Sequence, residues 1–573
     1  MLNKKENNEL IMEFTNHKEL LKKIVIFSII ISLVSLSPTL YMLSVYDRVI
    51  NSGSEKTLLM LTIMILIAYA GMELLEIIRF KIIRVISYKI QDALLLRVYE
   101  AMFQGYLSKK LGGVINAIND LKIISNFLST PAFLAILELP LIIFALIFLF
   151  EINLIMGVAA MIGGIFQIII AYLNQKSTRL PLLNANHAYH DSIKYATSVF
   201  KNVQVIEAMG MKDNIYRKWK NKQKQYLDFQ AVASEANAYW VSITKLLQLF
   251  MSSFLIGVGA KLMMLNNMDG AGGLIIVASI LGGRILAPIG QIITSWNGII
   301  SFRNSWERLE SLLENIPKKS LSMTLPTPKG NLHVENVNGA APGQLIPIIK
   351  NLDFKLRSGE VLAVVGPSAS GKTTLARLLV GLWSTISGSV RLDGVDVNAW
   401  NKSEVGPYIG YLPQSVEVLD GSIAENIARF GEINQAMVEE AASLVGLHEF
   451  IIALPDGYSS VIGVNEIVLS GGFKQRIGLA RAIYGRPVYV VLDEPNSNLD
   501  KGGDEALIKT IENMKQTGTT FIIITHKTNI FDVVDKILIL KNGAMHLFGP
   551  KNLVIEKINE SRNLIKNNKN LGG

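Results

Sequence analysis

"LSGGFKQRIGLARAIYGRPVYVVLDEPNSNLD", residues Leu469–Asp500, sets a helix directly before a strand. Ser470 reads as an N-cap, and Gly471 and Gly472 leave backbone N–H groups open at the helix start, which suits an anion. "VYVVLDEP" reads as a buried strand ending in two acids, Asp493 and Glu494. Carboxylates emerging from a run of Val, Tyr and Leu need partners. Asp493 is placed to hold Mg²⁺ through water, and Glu494 to polarise an attacking water as general base.

Upstream, "VLAVVGPSASGKTTLARLLVGL" (Val361–Leu382) reads as strand, loop and helix, the context a P-loop requires. Gly366, Ser368, Ala369, Ser370 and Gly371, with Pro367 among them, let successive backbone N–H groups turn toward phosphates. The helix start at Thr373 and Thr374 adds its dipole to the same anion. Lys372 is expected to bridge the β- and γ-phosphates and the Thr373 hydroxyl to ligate Mg²⁺. Downstream, "TTFIIITHK" reads as another buried strand with His526 at its carboxyl end, where open α/β sheets bind ligands. Gln414, in "YLPQS", lies between the P-loop and the acidic strand and joins the Mg²⁺ candidates.

The chain thus carries one P-loop and a second phosphate-facing helix start that has no nucleotide of its own to serve. The simplest resolution is that it serves a neighbour's. Two copies would hold two ATP molecules head to tail in a C₂ dimer, each between the P-loop of one chain and "LSGG" of the other.

Working outward, the rest of the chain is of another kind. Of 573 residues, 50% are hydrophobic and 18% charged; mean hydropathy is +0.34. Apolar runs fall at about 24–45, 58–78, 132–150, 154–173, 241–265 and 273–300. A bilayer takes roughly 20 apolar residues per helix, which makes six spans, the third and fourth joined by a tight "EIN" hairpin. "YDRVINSGSEKT" and "NNMDGAGG" are the other short connections. The long connections, 79–130 and 174–238, are basic and helical in pattern, so they and both termini are expected in the cytoplasm. The net charge of +9 resides in such loops and does not call for nucleic acid. With no cysteine, disulfides and thiolate sites are excluded. No cleavable signal is evident ahead of the first apolar run.

Glu73, Glu76, Glu138, Lys245 and Arg284 fall within spans, where charge is costly and should face a cavity or a partner. Glu76 and Lys245 read as interfacial or paired, and Arg284 as the better pathway candidate. His187 and His190 read as a solvated helix face. Polarity changes at "NIPKKSLSMTLPTPKGN", an extended linker with Pro317, Pro326, Pro328 and Gly330. The expected division is a cytoplasmic segment (1–23), an all-α six-helix transmembrane domain (24–314), a linker (315–330), an α/β nucleotide-binding domain (331–555) and a polar tail (556–573).

These motifs together resemble the ATP-binding cassette family over nearly the whole chain. The resemblance implies that Gly366–Thr374 form the Walker A loop, Gln414 the Q-loop and Leu469–Gly472 the signature. It also implies that Asp493 and Glu494 are Walker B and its catalytic base. "SNLD" ending at Asp500 would be the D-loop, and His526 the switch histidine at the γ-phosphate. Six spans before one cassette are similar to an exporter half-transporter working as a homodimer. "VYDRVI", "FLSTPAFLAILELP", "NVQVIEAMGM", "GRILAPIGQIITSW" and "DEPNSNLD" are most similar to type I secretion exporters of the protease/lipase (PrtD-type) group. Such exporters move unfolded proteins across the bacterial inner membrane, often Ca²⁺-binding repeat proteins with C-terminal signals, through a periplasmic adaptor and an outer-membrane TolC-like channel. The implied cofactors are ATP and Mg²⁺. Export of lipids, drugs or short peptides stays open as the alternative.

Three stretches depart from the family pattern. "NGAAPGQLIPII" offers no aromatic for stacking adenine. Phe473 stands where Gln is common, with little effect expected on the chemistry. "VIGVNEIV" lacks the acidic-Gly pattern of many exporters.

Overall fold

The acidic strand forms as Tyr489–Asp493 and is buried along its full length, as is the histidine-bearing strand Thr520–Ile524. They lie side by side in a six-stranded sheet. From one edge to the other its strands are Ala544–Pro550, Lys536–Lys541, the P-loop strand Val361–Val365, Thr520–Ile524, Tyr489–Asp493 and Ile409–Leu412. All neighbours are parallel except the outermost pair, Lys536–Lys541 with Ala544–Pro550. Alternate residues feed two separate cores. Val490, Leu492, Phe521 and Ile523 join one, and Tyr489, Val491, Ile522 and Ile524 the other. That period of two, with both faces covered, is why these strands read as unbroken apolar runs. The computed structural model describes residues 9–108, 116–265, 272–318, 325–344, 346–463 and 469–570, with side chains to residue 560. "VIGVNEIV" and "NNMDGAGG" therefore fall largely outside the described residues.

The chain divides into two compact units, one formed chiefly by residues before 318 and the other chiefly by those after. Among the described residues of the first, six helical stretches are long and apolar enough to cross a membrane. Two of the longest are Glu55–Ser108 and Lys212–Met264. At 1.5 Å per residue each runs about 80 Å, far beyond the roughly 30 Å bilayer core.

Local chemistry breaks several of the expected runs. The first span is interrupted after Val34 and resumes at Ser37. Pro38 has no N–H to offer the Val34 carbonyl, and the Ser37 hydroxyl takes that carbonyl instead, at 2.6 Å. The Ser35 carbonyl is bound by Arg284 Nη1. Arg284 thus has a partner at the kink of the first span, where the sequence suggested a transport path. Glu76 pairs with the buried Arg79 at 3.1 Å, and Glu138 lies in the same neighbourhood. The third span breaks at Glu138, just before Pro140, and the sixth at Ser295. The expected loop from Tyr46 is mostly helical, a π-helical turn at Val45–Ile50 leaving Gly53 and Ser54 to reverse the chain.

Near the end of this unit, Arg97 is almost fully buried and bonds Glu9 twice through Nε and Nη2. Its Nη2 also reaches the Leu313 and Ile316 carbonyls at the last helix end. The expected polar tail is helical too, from Lys551 to Asn570. Its first turns dock because Val554 is buried and Ile555 and Ile558 pack on the core.

In the second unit Arg429 is a structural hub. Its five N–H groups meet the carbonyls of Arg481, Gly406, Ile409, Ala482 and Tyr484 at 2.8–3.3 Å. Arg429→Ala should destabilise this unit by about 3 kcal/mol, since several carbonyls lose their donor. Arg429→Lys should recover little, because an ammonium cannot span them. Chemical denaturation of the full-length protein, read by the second unit's transition, checks both.

Candidate functional site

Strand register builds the site. Ile524 pairs with both Asp493 and Val364, and Leu412 pairs with Leu492. The residues that follow each strand therefore leave the sheet along one carboxyl edge: Gly366, Glu494, Thr525 with His526, and Pro413 with Gln414. Ligands of open parallel sheets bind at such an edge.

The P-loop wraps the start of the helix Lys372–Leu379. Gly371 has φ +97° and Ala369 φ +63°, so two turns of the loop are left-handed. Gly366 is required for another reason: a Cβ there would sit 2.2 Å from the Leu540 carbonyl oxygen. Lys372 is 7% exposed and its Nζ donates to the Gly366 and Pro367 carbonyls, each at 2.9 Å. Burial lowers its pKa, opposed by the charges of Glu494 and Asp493. A cation held inside the loop is set to meet phosphate oxygens that replace those carbonyls.

Asp493 is 1% exposed, and its carboxylate oxygens are buried without a well-formed hydrogen bond among the described residues. Burial pushes its carboxyl above the usual aspartate range. The Thr373 hydroxyl, and at longer reach Arg377 and Lys372, pull it back. Glu494 takes a left-handed backbone, φ +52°, and its N–H donates to the Ile524 carbonyl at 2.9 Å. That turn aims the side chain at the edge, where Gln414 Nε2 donates to it at 3.0 Å and His526 Nε2 lies 3.4 Å away. Gln414, Glu494 and His526, far apart in sequence, meet here. The arrangement can bind a triphosphate through the loop and Lys372, and can place a carboxylate beside its terminal phosphate.

The remaining sequence candidates gather elsewhere. Ser470 caps the helix Gly471–Ile483 and accepts from the Phe473 N–H at 3.3 Å. Ser470, Gly472, Asn498 and Asp500 line a hollow of about 380 Å³ that no P-loop residue lines. Phe473 also lines it, its ring packed partly on the adjoining core. Asp500 caps the helix Lys501–Gln516, accepting from Gly503 N–H at 2.9 Å, and pairs with Arg476 at 2.5 Å. Sequence reasoning gave no role to Gln475 and Arg476. A polar Gln one turn into a helix that otherwise turns apolar was the signal available for Gln475.

Comparison with known proteins agrees with this architecture. Residues 349–497 match the family described as ABC transporter, and residues 21–284 the ABC transporter transmembrane region. The chain is 34% identical over 534 residues to the type I secretion system ATP-binding protein PrsD of Rhizobium meliloti, covering 93% of this chain and 91% of that protein. It is 26% identical over 542 residues to the cyclolysin secretion/processing ATP-binding protein CyaB of Bordetella pertussis, covering 92% and 75%. A bacterial Atm1-family ABC exporter with ATP bound shares the fold, with a TM-score of 0.81 at 18% identity over 94% of this chain and 96% of that one.

The tight seat of Gly366 yields a direct test. Gly366→Ala should weaken ATP binding at least about tenfold, a displacement of the loop worth roughly 1.4 kcal/mol or more. Gly502→Ala, whose added Cβ meets nothing within 4 Å, should bind as the parent does. Titration with a fluorescent ATP analogue reads both.

Proposed function

Because this chain belongs to the ABC transporter family, an ATPase coupled to transport across a membrane, we propose that it exports unfolded polypeptides in type I secretion. The observation that carries this reading is its end-to-end likeness, through both units, to a secretion ATP-binding protein. On this reading it sits in a bacterial inner membrane with the ATPase unit in the cytoplasm. It works with a periplasmic adaptor and an outer-membrane TolC-like channel, and its cargo carries a C-terminal signal.

The site residues support a division of labour. The loop Gly366–Thr374 and Lys372 hold the ATP phosphates, and His526 contacts the γ-phosphate. Glu494 takes a proton from the attacking water, whose oxygen then bonds the γ-phosphorus as the bond to ADP breaks. The Thr373 hydroxyl, Gln414 and the buried Asp493 carboxylate form a hard oxygen set that fits Mg²⁺. That ion would neutralise charge on the β- and γ-phosphates. Ser470, Gly471, Gly472 and Asp500, set apart from the P-loop in this chain, serve the nucleotide of a second copy, so two composite sites form in a homodimer.

Glu494→Gln should leave ATP binding intact while reducing steady-state hydrolysis by roughly 100-fold or more, the usual contribution of a positioned base. Unchanged turnover in a coupled phosphate-release assay would remove Glu494 from that role. For the composite sites, Lys372→Ala and Ser470→Arg protein should be mixed before reconstitution. Mixed dimers concentrate both defects in one site and leave the other whole, so nucleotide trapping should persist; none at all would refute sharing between copies. Export itself is tested by the ATPase rate of lipid-reconstituted protein titrated with the C-terminal segment of a secreted repeat protein, beside a panel of hydrophobic small molecules. A saturable response to the segment alone is expected. A response only to the small molecules would assign the protein to lipid or drug export.

A further inference from the structure

Gln475 is 1% exposed in the first turns of the helix that Ser470 caps. Its Nε2 donates to the Glu494 carbonyl at 3.3 Å and the Pro495 carbonyl at 3.2 Å. The orientation of the amide is fixed by its surroundings, since a flipped group would set its oxygen against two carbonyl oxygens. The adjacent Arg476 holds the other end of the same segment. Its Nη2 meets Asp500 at 2.5 Å, while its Nη1 donates to the Gly446 carbonyl at 2.9 Å. Between these points the backbones nearly touch: a Cβ on Gly472 would lie 3.0 Å from the Asn498 carbonyl oxygen. The stretch Glu494–Asp500 is thus fastened at its start and its end to one helix and lies close against it between.

The start of that stretch is the strained one. Glu494 has φ +52°, a conformation that a non-glycine residue keeps only when its surroundings hold it there. On the strand side its N–H is tied to Ile524. On the helix side its carbonyl is tied to Gln475 and, at 3.2 Å, to the Ser497 N–H. Replacing Gln475 with an apolar residue would leave the Pro495 carbonyl without this buried donor and remove one of the two donors that hold the Glu494 carbonyl.

We infer that Gln475 is a positioning residue for hydrolysis, one that holds the Glu494 carboxylate in line through the Glu494 and Pro495 carbonyls. The carboxylate is thereby tied to the helix that begins at Ser470, so movement of that phosphate-facing helix start is passed to the base. The inference rests on the reading of Glu494 as general base.

The test uses full-length, lipid-reconstituted protein carrying Gln475→Leu, with Gln475→Met as a second donor-free variant of nearly unchanged length. A misaligned base should lower kcat roughly ten- to a hundredfold, as displacements near 1 Å do. KM for ATP should stay within about twofold, because the phosphate-binding loop is untouched. Fluorescent-nucleotide affinity should match the parent, whereas the melting temperature should fall somewhat in both variants, because the Pro495 carbonyl loses its buried donor. In the Glu494→Gln background, Gln475→Leu should cost nothing further, since there is no base left to align. Parental kcat in both variants would overturn the inference. So would a fall in kcat that comes with raised KM and weakened nucleotide affinity in both, which marks a merely structural amide. Full turnover in Glu494→Gln alone would instead remove the base assignment, and this inference with it.

Discussion

The parallel pairing of three short strands, Val361–Val365, Thr520–Ile524 and Tyr489–Asp493, is the constraint on which the ATPase unit depends. Each ends at the same edge because Ile524 is in register with both Val364 and Asp493. A slip of one residue would exchange the two core-facing sets and withdraw one functional loop from the edge. Burial of both faces therefore enforces the geometry of the site. The apolar residues have no chemistry to contribute, yet they decide where the chemistry occurs.

That geometry places charge where water is scarce. Lys372 is depressed by burial and Asp493 raised by it. Each is held in a state that a phosphate or a cation relieves, so ligand binding gains from what burial cost the free protein. Glu494 differs: it is part-exposed, hydrogen-bonded by Gln414 and near His526, and strained in its backbone. The buried pair and Glu494 are thus prepared by different means. The first are desolvated, and the second is oriented.

The membrane unit shows the same economy with backbone groups. Where Pro38 interrupts the first span, a serine hydroxyl and an arginine from the sixth span take two carbonyls, those of Val34 and Ser35. In a bilayer such groups have no water to turn to. A charge that sequence reasoning assigns to a transport path is engaged here in satisfying a broken helix. Arg97 does likewise at the end of the last helix while also pairing with Glu9.

The sequence by itself determined the fold class and the six apolar spans, and it marked most of the residues that gather at the sheet edge. Those properties are written in local pattern: apolar runs of bilayer length, strand runs buried on both faces, glycines around a lysine, acids at a strand end. Tertiary structure alone decided the rest. That Gln475 holds the Glu494 peptide, that Arg429 gathers five carbonyls and that Arg284 caps a kink are matters of which backbone groups packing leaves without a partner. A polar side chain carries no mark of the distant carbonyl it will meet. The helical tail and the broken spans have the same origin, because a docked valine or a proline's missing N–H acts only against the neighbours that the fold supplies.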